Sequence, residues 1–289
     1  DLAPLRPCPI DAISPAFHDQ MVGQTLRRNL REGDYLKYVD LDWIYMDLSI
    51  VVTAYNYERY IAECLSSCLE QKNHKLNYEV IVIDDGSTDA TSEIVKNNFG
   101  SRVDLYAIKN GGLERAANFG FEVAKGRYIT RVDADDTLMS NYLECVEKAL
   151  SESRADVYYF DYQCINSDSH LMREVRLPNF DMEEVRDRGD FLASGTLYSA
   201  LAIERMGGYD TKYKNSGLEN FDLVIRLLNS EFTFLHIPEI AFRYRRHGSN
   251  MSSIQRKKII ANGHALALRL GLKKFSTNNF HPYELRLDE

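Results

Sequence analysis

Positive charge is scarce in this 289-residue chain: 35 lysines and arginines stand against 43 aspartates and glutamates, a formal net charge of −8 at pH 7. No broad basic field can form to neutralise a phosphate backbone, which argues against a nucleic-acid binder but leaves room for a local diphosphate pocket. Apolar runs are short. None reaches the roughly 18 residues of a membrane-spanning helix, and the first residues carry no signal-peptide pattern. The chain begins with Asp1 rather than methionine, as expected of a processed or excised piece. Five cysteines (Cys8, Cys64, Cys68, Cys145, Cys164) are an odd number with no metal-type spacing. Cys64 and Cys68 lie four apart on the apolar side of a predicted helix, so buried free thiols and a reducing, cytoplasmic setting are expected. No Gly-x-Gly-x-x-Gly follows any strand-like run, against a hydride-transferring dehydrogenase. The residues after the first such run, Thr53-Ala54-Tyr55-Asn56-Tyr57, contain no glycine, against a nucleotidyltransferase with a glycine-rich phosphate loop.

With 44% hydrophobic and 27% charged residues, the composition is that of a globular protein long enough for one large α/β domain or two small ones. Four of its seven prolines fall between Pro4 and Pro15, which predicts irregular chain there. Residues 17–36 have poor helical periodicity, and Trp43 precedes the first strand; residues 1–46 are expected to be an appendage. At Leu48 the register changes. Leu48 to Val52 is a β-branched apolar run, the mark of a strand buried on both faces. Ile61, Cys64, Leu65, Cys68 and Leu69 follow at helical spacing. Val80–Ile83, Val103–Ile108 and Arg127–Val132 are predicted strands, with helices through Ile94 and Val95 and over 113–125. Such alternation indicates βαβ units and a mostly parallel, Rossmann-like central sheet flanked by helices. The second half is less regular: a strand over 155–162, a helix over 221–228, and short strands over 232–237 and 241–244. The division expected is 1–46, 47–150, 151–251 and a helical tail over 252–289.

In an open parallel sheet, ligands bind at the carboxyl ends of the strands. Here those ends carry Thr53-Ala54-Tyr55-Asn56, Asp84-Asp85-Gly86-Ser87 and Asp133-Ala134-Asp135-Asp136. Carboxylates gathered at one rim are unfavourable without positive charge beside them. A hard cation, Mn²⁺ or Mg²⁺, bridging carboxylates to substrate phosphates answers that need. The bland alternative is an acidic turn in a chain rich in Asp and Glu.

These segments, with Asn110-Gly111-Gly112-Leu113, Asn118, Gly207-Gly208-Tyr209-Asp210, Glu219-Asn220-Phe221-Asp222-Leu223 and Tyr244-Arg245-Arg246-His247, resemble in order and spacing the inverting glycosyltransferases of family two. The resemblance runs from about Leu48 to Ser253. It implies the nucleotide-diphospho-sugar transferase (GT-A-type) fold and transfer of a sugar, UDP-linked by resemblance, to a glycan or lipid-linked acceptor in cell-envelope polysaccharide synthesis. Thr53 and Asp85 would hold the uracil with Tyr55 and Glu58 nearby, Asp133 would reach the ribose, and Asp135 and His247 would hold the metal. Arg115, Arg245 and Arg246 are candidates for the cation that stabilises the leaving diphosphate. Ser194-Gly195-Thr196 falls where the family has an acceptor-side loop.

The sequence departs from the family twice. The pair that supplies the base usually reads Glu-Asp, and here it is Glu219-Asn220; an amide takes no proton, so Glu219 is the preferred substitute, with Asp222 three residues on the same helical face. Ala117 stands where an arginine is common. Asn220 also supports an alternative, a sugar-nucleotide-binding module without turnover. The tyrosines, 18 in all, are read as strand and core residues, with those near Asp161 and Tyr162 best placed to stack on acceptor sugars. The tail is basic at Lys257, Lys258, Arg269, Lys273 and Lys274; a helix docked on the core is favoured over a peripheral membrane contact.

Overall fold

The computed structural model describes residues 46–183, 185, 194–212 and 215–271, with residues 21, 26 and 29–36 ahead of them. The expectations for Cys8, for Pro4 to Pro15, for Trp43 and for Lys273 and Lys274 lie outside the described residues, as does half of 17–36.

The β-branched run forms β1 (Leu48–Ala54), buried along its whole length. It is followed by α1 (Ile61–Leu69), β2 (Tyr78–Asp84), α2 (Thr91–Phe99), β3 (Asp104–Ala107), α3 (Leu113–Val123) and β4 (Tyr128–Asp133). β1 pairs in parallel with β2 and β4, and β2 with β3. The chain winds outward from β1 to β3 and returns to the other side of β1 as β4. The winding therefore reverses between β1 and β4, where a crevice opens at the carboxyl ends of the strands. The register sets Thr53 opposite Asp133 and Ala54 opposite Asp84, so three of the polar strand ends meet at one rim.

Helix packing follows the sequence pattern. α1 buries Ile61, Cys64, Leu65 and Cys68, and both cysteines, with Cys145 and Cys164, are free and buried. α3 approaches β1 so closely that a Cβ at Gly120 would stand 2.3 Å from Val51 Cγ1; only glycine fits.

The second half adds β5 (Thr137–Leu138), α4 (Tyr142–Glu152), β6 (Val157–Ile165), β7 (Leu171–Val175), β8 (Leu197–Ser199), α5 (Ala200–Met206), α6 (Glu219–Leu228), β9 (Phe234–Arg245), α7 (Met251–Ile254) and α8 (Arg256–Arg269). Among the described residues the sheet has nine strands in the order β3-β2-β1-β4-β8-β6-β9-β5, with β7 beside β6. β8 is antiparallel to β4 and β6, β5 is antiparallel to β9, and β6 and β9 run parallel. The result is an α/β sheet, parallel through its leading half and mixed beyond. The two short strands expected over 232–237 and 241–244 are one strand. Its register jumps from Phe160 opposite Ile237 to Asp161 opposite Ile240; Pro238, which has no N–H for the ladder, falls inside that bulge.

Tyr142, Tyr158, Tyr159 and Tyr162 are fully buried core residues. The hydroxyls of Tyr142 and Tyr159 donate to the main-chain oxygens of Gly195 and Pro178, so these rings are not free to stack on a sugar. The basic tail helix is docked: α8 buries Ile259, Gly263, Leu266 and Ala267, and Arg269 pairs with Asp222 and Asp210. Among the described residues no helix is long and apolar enough to cross a membrane.

Candidate active site

A cavity of about 410 Å³ opens at the rim of β1, β2 and β4, a volume ordinary for a small-molecule site. Thr53, Tyr55, Asp85, Asp133 and Asp135 line it from the leading half. Thr53 Oγ1 donates to Asp133 Oδ1 at 3.3 Å, as their register in β1 and β4 requires. Asp85 is buried and accepts from the backbone N–H groups of Gly111 at 2.7 Å and Gly112 at 2.8 Å. That clamp draws the turn before α3 against the end of β2, and Gly112 enters the helix at φ +94°, open to glycine alone without strain. Each Asp85 oxygen keeps a second lone pair for a ligand. Tyr55 is 46% exposed at the mouth.

Asp135 and His247 meet although 112 residues separate them. His247 Nε2 lies 2.9 Å from Asp135 Oδ2, Asn250 Nδ2 donates to the same oxygen at 3.2 Å, and the imidazole stacks on Tyr60 with ring centroids 5.0 Å apart. Burial, and then the carboxylates of Asp135, Asp133 and Asp136, push the Tyr57 phenol far above its usual range. Among the described residues no group of three or more His, Cys, Asp or Glu could hold a metal. One carboxylate oxygen and one imidazole nitrogen at a single point fit Mn²⁺ better than Mg²⁺, which prefers oxygen; either ion keeps other positions for phosphate and water.

The second half contributes Glu219, at the start of α6, together with Tyr244 and the segment carrying Asn250, Met251, Ile254 and Gln255. The residues expected to form a separate tail after 251 therefore help to wall the cavity. Glu219 is 6% exposed. Arg131 Nη1 holds its Oε1 at 2.9 Å, and Nη2 of the same guanidinium reaches Asp133 at 3.2 Å. Glu219 Oε2 is buried without a hydrogen-bond partner. Burial raises its proton affinity above that of an ordinary carboxylate; Arg131 opposes the rise and Glu114 adds to it.

Several of the expected site residues do not line the cavity: His247 meets it only through Asp135, Arg115 stays on the surface, and Arg245, Glu58 and Asp222 are tied elsewhere. Arg245 is 1% exposed and lies beneath the acidic loop: its Nε donates to the Asp135 oxygen at 2.6 Å, its backbone N–H to Asp136 at 2.8 Å, and Nη2 pairs with Glu63 at 2.7 Å. It cannot turn out to a diphosphate. Glu58 accepts from the Ala90 N–H at 2.9 Å, tying the loop after β1 to the start of α2. Arg115 is exposed beside Gly111. Asp222 pairs with Arg226 at 2.8 Å and with Arg269, joining α6 to α8. Asn220 turns away as well, accepting from the Tyr198 hydroxyl. Sequence reasoning missed Arg131, Asn250 and Asn215, which caps α3 by accepting from the Leu113 N–H at 2.9 Å. Only Asn250, three residues past His247, carried a signal. Among the described residues that line the cavity there are four carboxylates and no lysine or arginine.

Comparison with known proteins gives the family and the fold. The family model described as "Glycosyl transferase family 2" matches residues 49–207. Glycosyltransferase GlyG of Streptococcus pneumoniae is 37% identical over 224 residues, 71% of this chain and 72% of that protein. Chondroitin synthase of Pasteurella multocida is 28% identical over 247 residues, 84% of this chain; the chain spans only 25% of that relative's length. Among solved structures, residues 1–349 of S. aureus TarS in complex with UDP-GlcNAc superpose with a TM-score of 0.64 at 20% identity, covering 79% of this chain and 68% of that one.

Proposed function

The chain belongs to glycosyl transferase family 2, and from that premise we propose that it transfers a sugar from a UDP-sugar to a hydroxyl of a glycan or lipid-linked acceptor, with inversion and with a divalent cation. The observation that carries the reading is the charge of the cavity. Four carboxylates line it without a lysine or arginine beside them among the described lining residues, and Arg131, outside the lining, pairs with only two of them, so a diphosphate is favoured there when a cation enters with it. Asp135 and His247 are the residues that would hold Mn²⁺ or Mg²⁺, which when bound supplies Lewis-acid stabilisation of the departing diphosphate.

Glu219 is the base in this reading. The acceptor oxygen attacks the anomeric carbon from the face opposite the donor diphosphate; the new C–O bond forms as the old one breaks, and the hydroxyl proton passes to Glu219. Two features support the assignment: the free Oε2 and a raised proton affinity. Arg131 holds Oε1 and so fixes the direction in which Oε2 can accept. Thr53, Tyr55, Asp85 and Asp133 hold the nucleoside at the β1–β4 rim. Lys257 and Lys258, on the exposed side of α8, offer a contact for an anionic membrane bearing a lipid-linked acceptor. The buried free thiols fit the reducing compartment in which we set the reaction.

Calorimetric titration of UDP with and without Mn²⁺, on the native chain and on Asp135→Ala, tests the donor site. Metal-dependent binding lost in the variant is expected; no binding under either condition overturns the proposal. Asn220 favours a second reading, donor binding without turnover, for which the measurement is donor binding with no transfer to any acceptor.

A further inference from the structure

Behind the proposed base lies a second, much smaller space. It measures about 10 Å³ and is bounded by Ser216, Glu219, Asp222, Asn262 and Arg269. Two buried polar atoms on its walls have no hydrogen-bond partner, Glu219 Oε2 and Asn262 Nδ2. One is an acceptor and the other a donor. Such groups are almost always satisfied in a folded protein, and leaving them bare is costly. A cavity of roughly 10–15 Å³ with at least two polar partners holds one water molecule.

We propose that a single water molecule occupies this cavity and joins Glu219 to Asn262, making Asn262 a positioning residue that steadies the base from the C-terminal helix. Asn262 Nδ2–H donates to the water, and the water donates to Glu219 Oε2. This leaves one lone pair of Oε2 to take the acceptor's proton. The inference rests on Glu219 being the base. Charged groups facing Glu219 come from every neighbouring element: Arg131 from β4, Glu114 from α3, Asp222 on α6 itself and Arg269 from α8. A neutral donor added among them favours the carboxylate over the acid, so its removal must raise the proton affinity of Glu219.

A high-resolution crystal structure of the native chain should show water density within hydrogen-bond distance of both atoms. Infrared titration gives a second readout. The protonated-carboxyl band of Glu219, identified by its loss in Glu219→Gln, should titrate roughly one pH unit higher in Asn262→Leu and stay near the native midpoint in Asn262→Ser. An empty cavity in the density, or coincident titrations for the native chain and Asn262→Leu, overturns the proposal. Wild-type turnover by Glu219→Gln would instead sink the base assignment, and the density would still decide whether the water is there.

Discussion

Arg245 Nε donates to the main-chain oxygen of Asp135 at 2.6 Å, from beneath the loop rather than from the cavity. The same guanidinium stacks over the Tyr60 ring at 4.9 Å, and Tyr60 in turn stacks on His247. One buried cation therefore sets the height of the acidic loop and the lie of the imidazole opposite it.

Arg245→Met keeps the bulk and removes the hydrogen bonds. The variant should lose roughly 3 kcal/mol of stability, the usual cost of breaking a buried charge network, and with it metal-dependent UDP binding. Urea denaturation and calorimetry measure both. Arg115→Ala, on the surface, should change stability by less than about 0.5 kcal/mol and leave UDP affinity near native. The reverse ranking would return the phosphate-binding role to Arg115.

Glu219→Gln should reduce kcat by roughly 10²–10⁴-fold, the range for loss of a positioned base, with little change in donor KM. The base must be ionised to act. Because burial raises its proton affinity above the ordinary 4.5, activity should fall with decreasing pH at a midpoint above that value, and the limb should vanish in the variant. A native profile flat down to pH 4.5 would contradict the assignment.

Asp222→Asn should separate structure from chemistry. It weakens the ties to Arg226 and Arg269 at a cost of about 1–3 kcal/mol, read as a lower denaturation midpoint, with kcat preserved. A catalytic defect without instability would reinstate Asp222 as the base.

Gly120→Ala forces a methyl group towards Val51 Cγ1, 2.3 Å away, and should cost about 1–3 kcal/mol through overpacking. Retained stability in a melting experiment would mean that α3 can lift from β1 without penalty.

The leading half was legible because buried parallel strands write themselves as unbroken apolar runs, and the residues that leave them must face one rim. That puts the segments carrying Thr53, Asp85, Asp133 and Asp135 at the rim; the resemblance to the family singled out those four residues. Arg245 was misread because proximity in a motif says nothing about direction. Successive strand residues point to opposite faces, and Tyr244 takes the cavity side. Asp222 was paired with Glu219 by helical spacing, a sound local rule, but its long-range partner Arg269 sits 47 residues away on a helix whose docking no local pattern encodes. Arg131 was invisible for the same reason: inside an apolar strand it looked like an interruption, and of its two carboxylates Asp133 is a near neighbour while Glu219 comes from 88 residues away.

The guanidinium of Arg131, shared by Asp133 and Glu219, limits how this scaffold can be recombined. Under the proposed division into a nucleotide half and an acceptor half, the direct route to a new specificity is to splice a foreign second half after residue 150. Such a chimera inherits Arg131 and Asp133 from one parent and its base from the other. Unless the incoming segment presents a carboxylate at the position of Glu219, the arginine is left with one partner and the base with no anchor. The unit of exchange is the three-residue bridge together with both segments it holds.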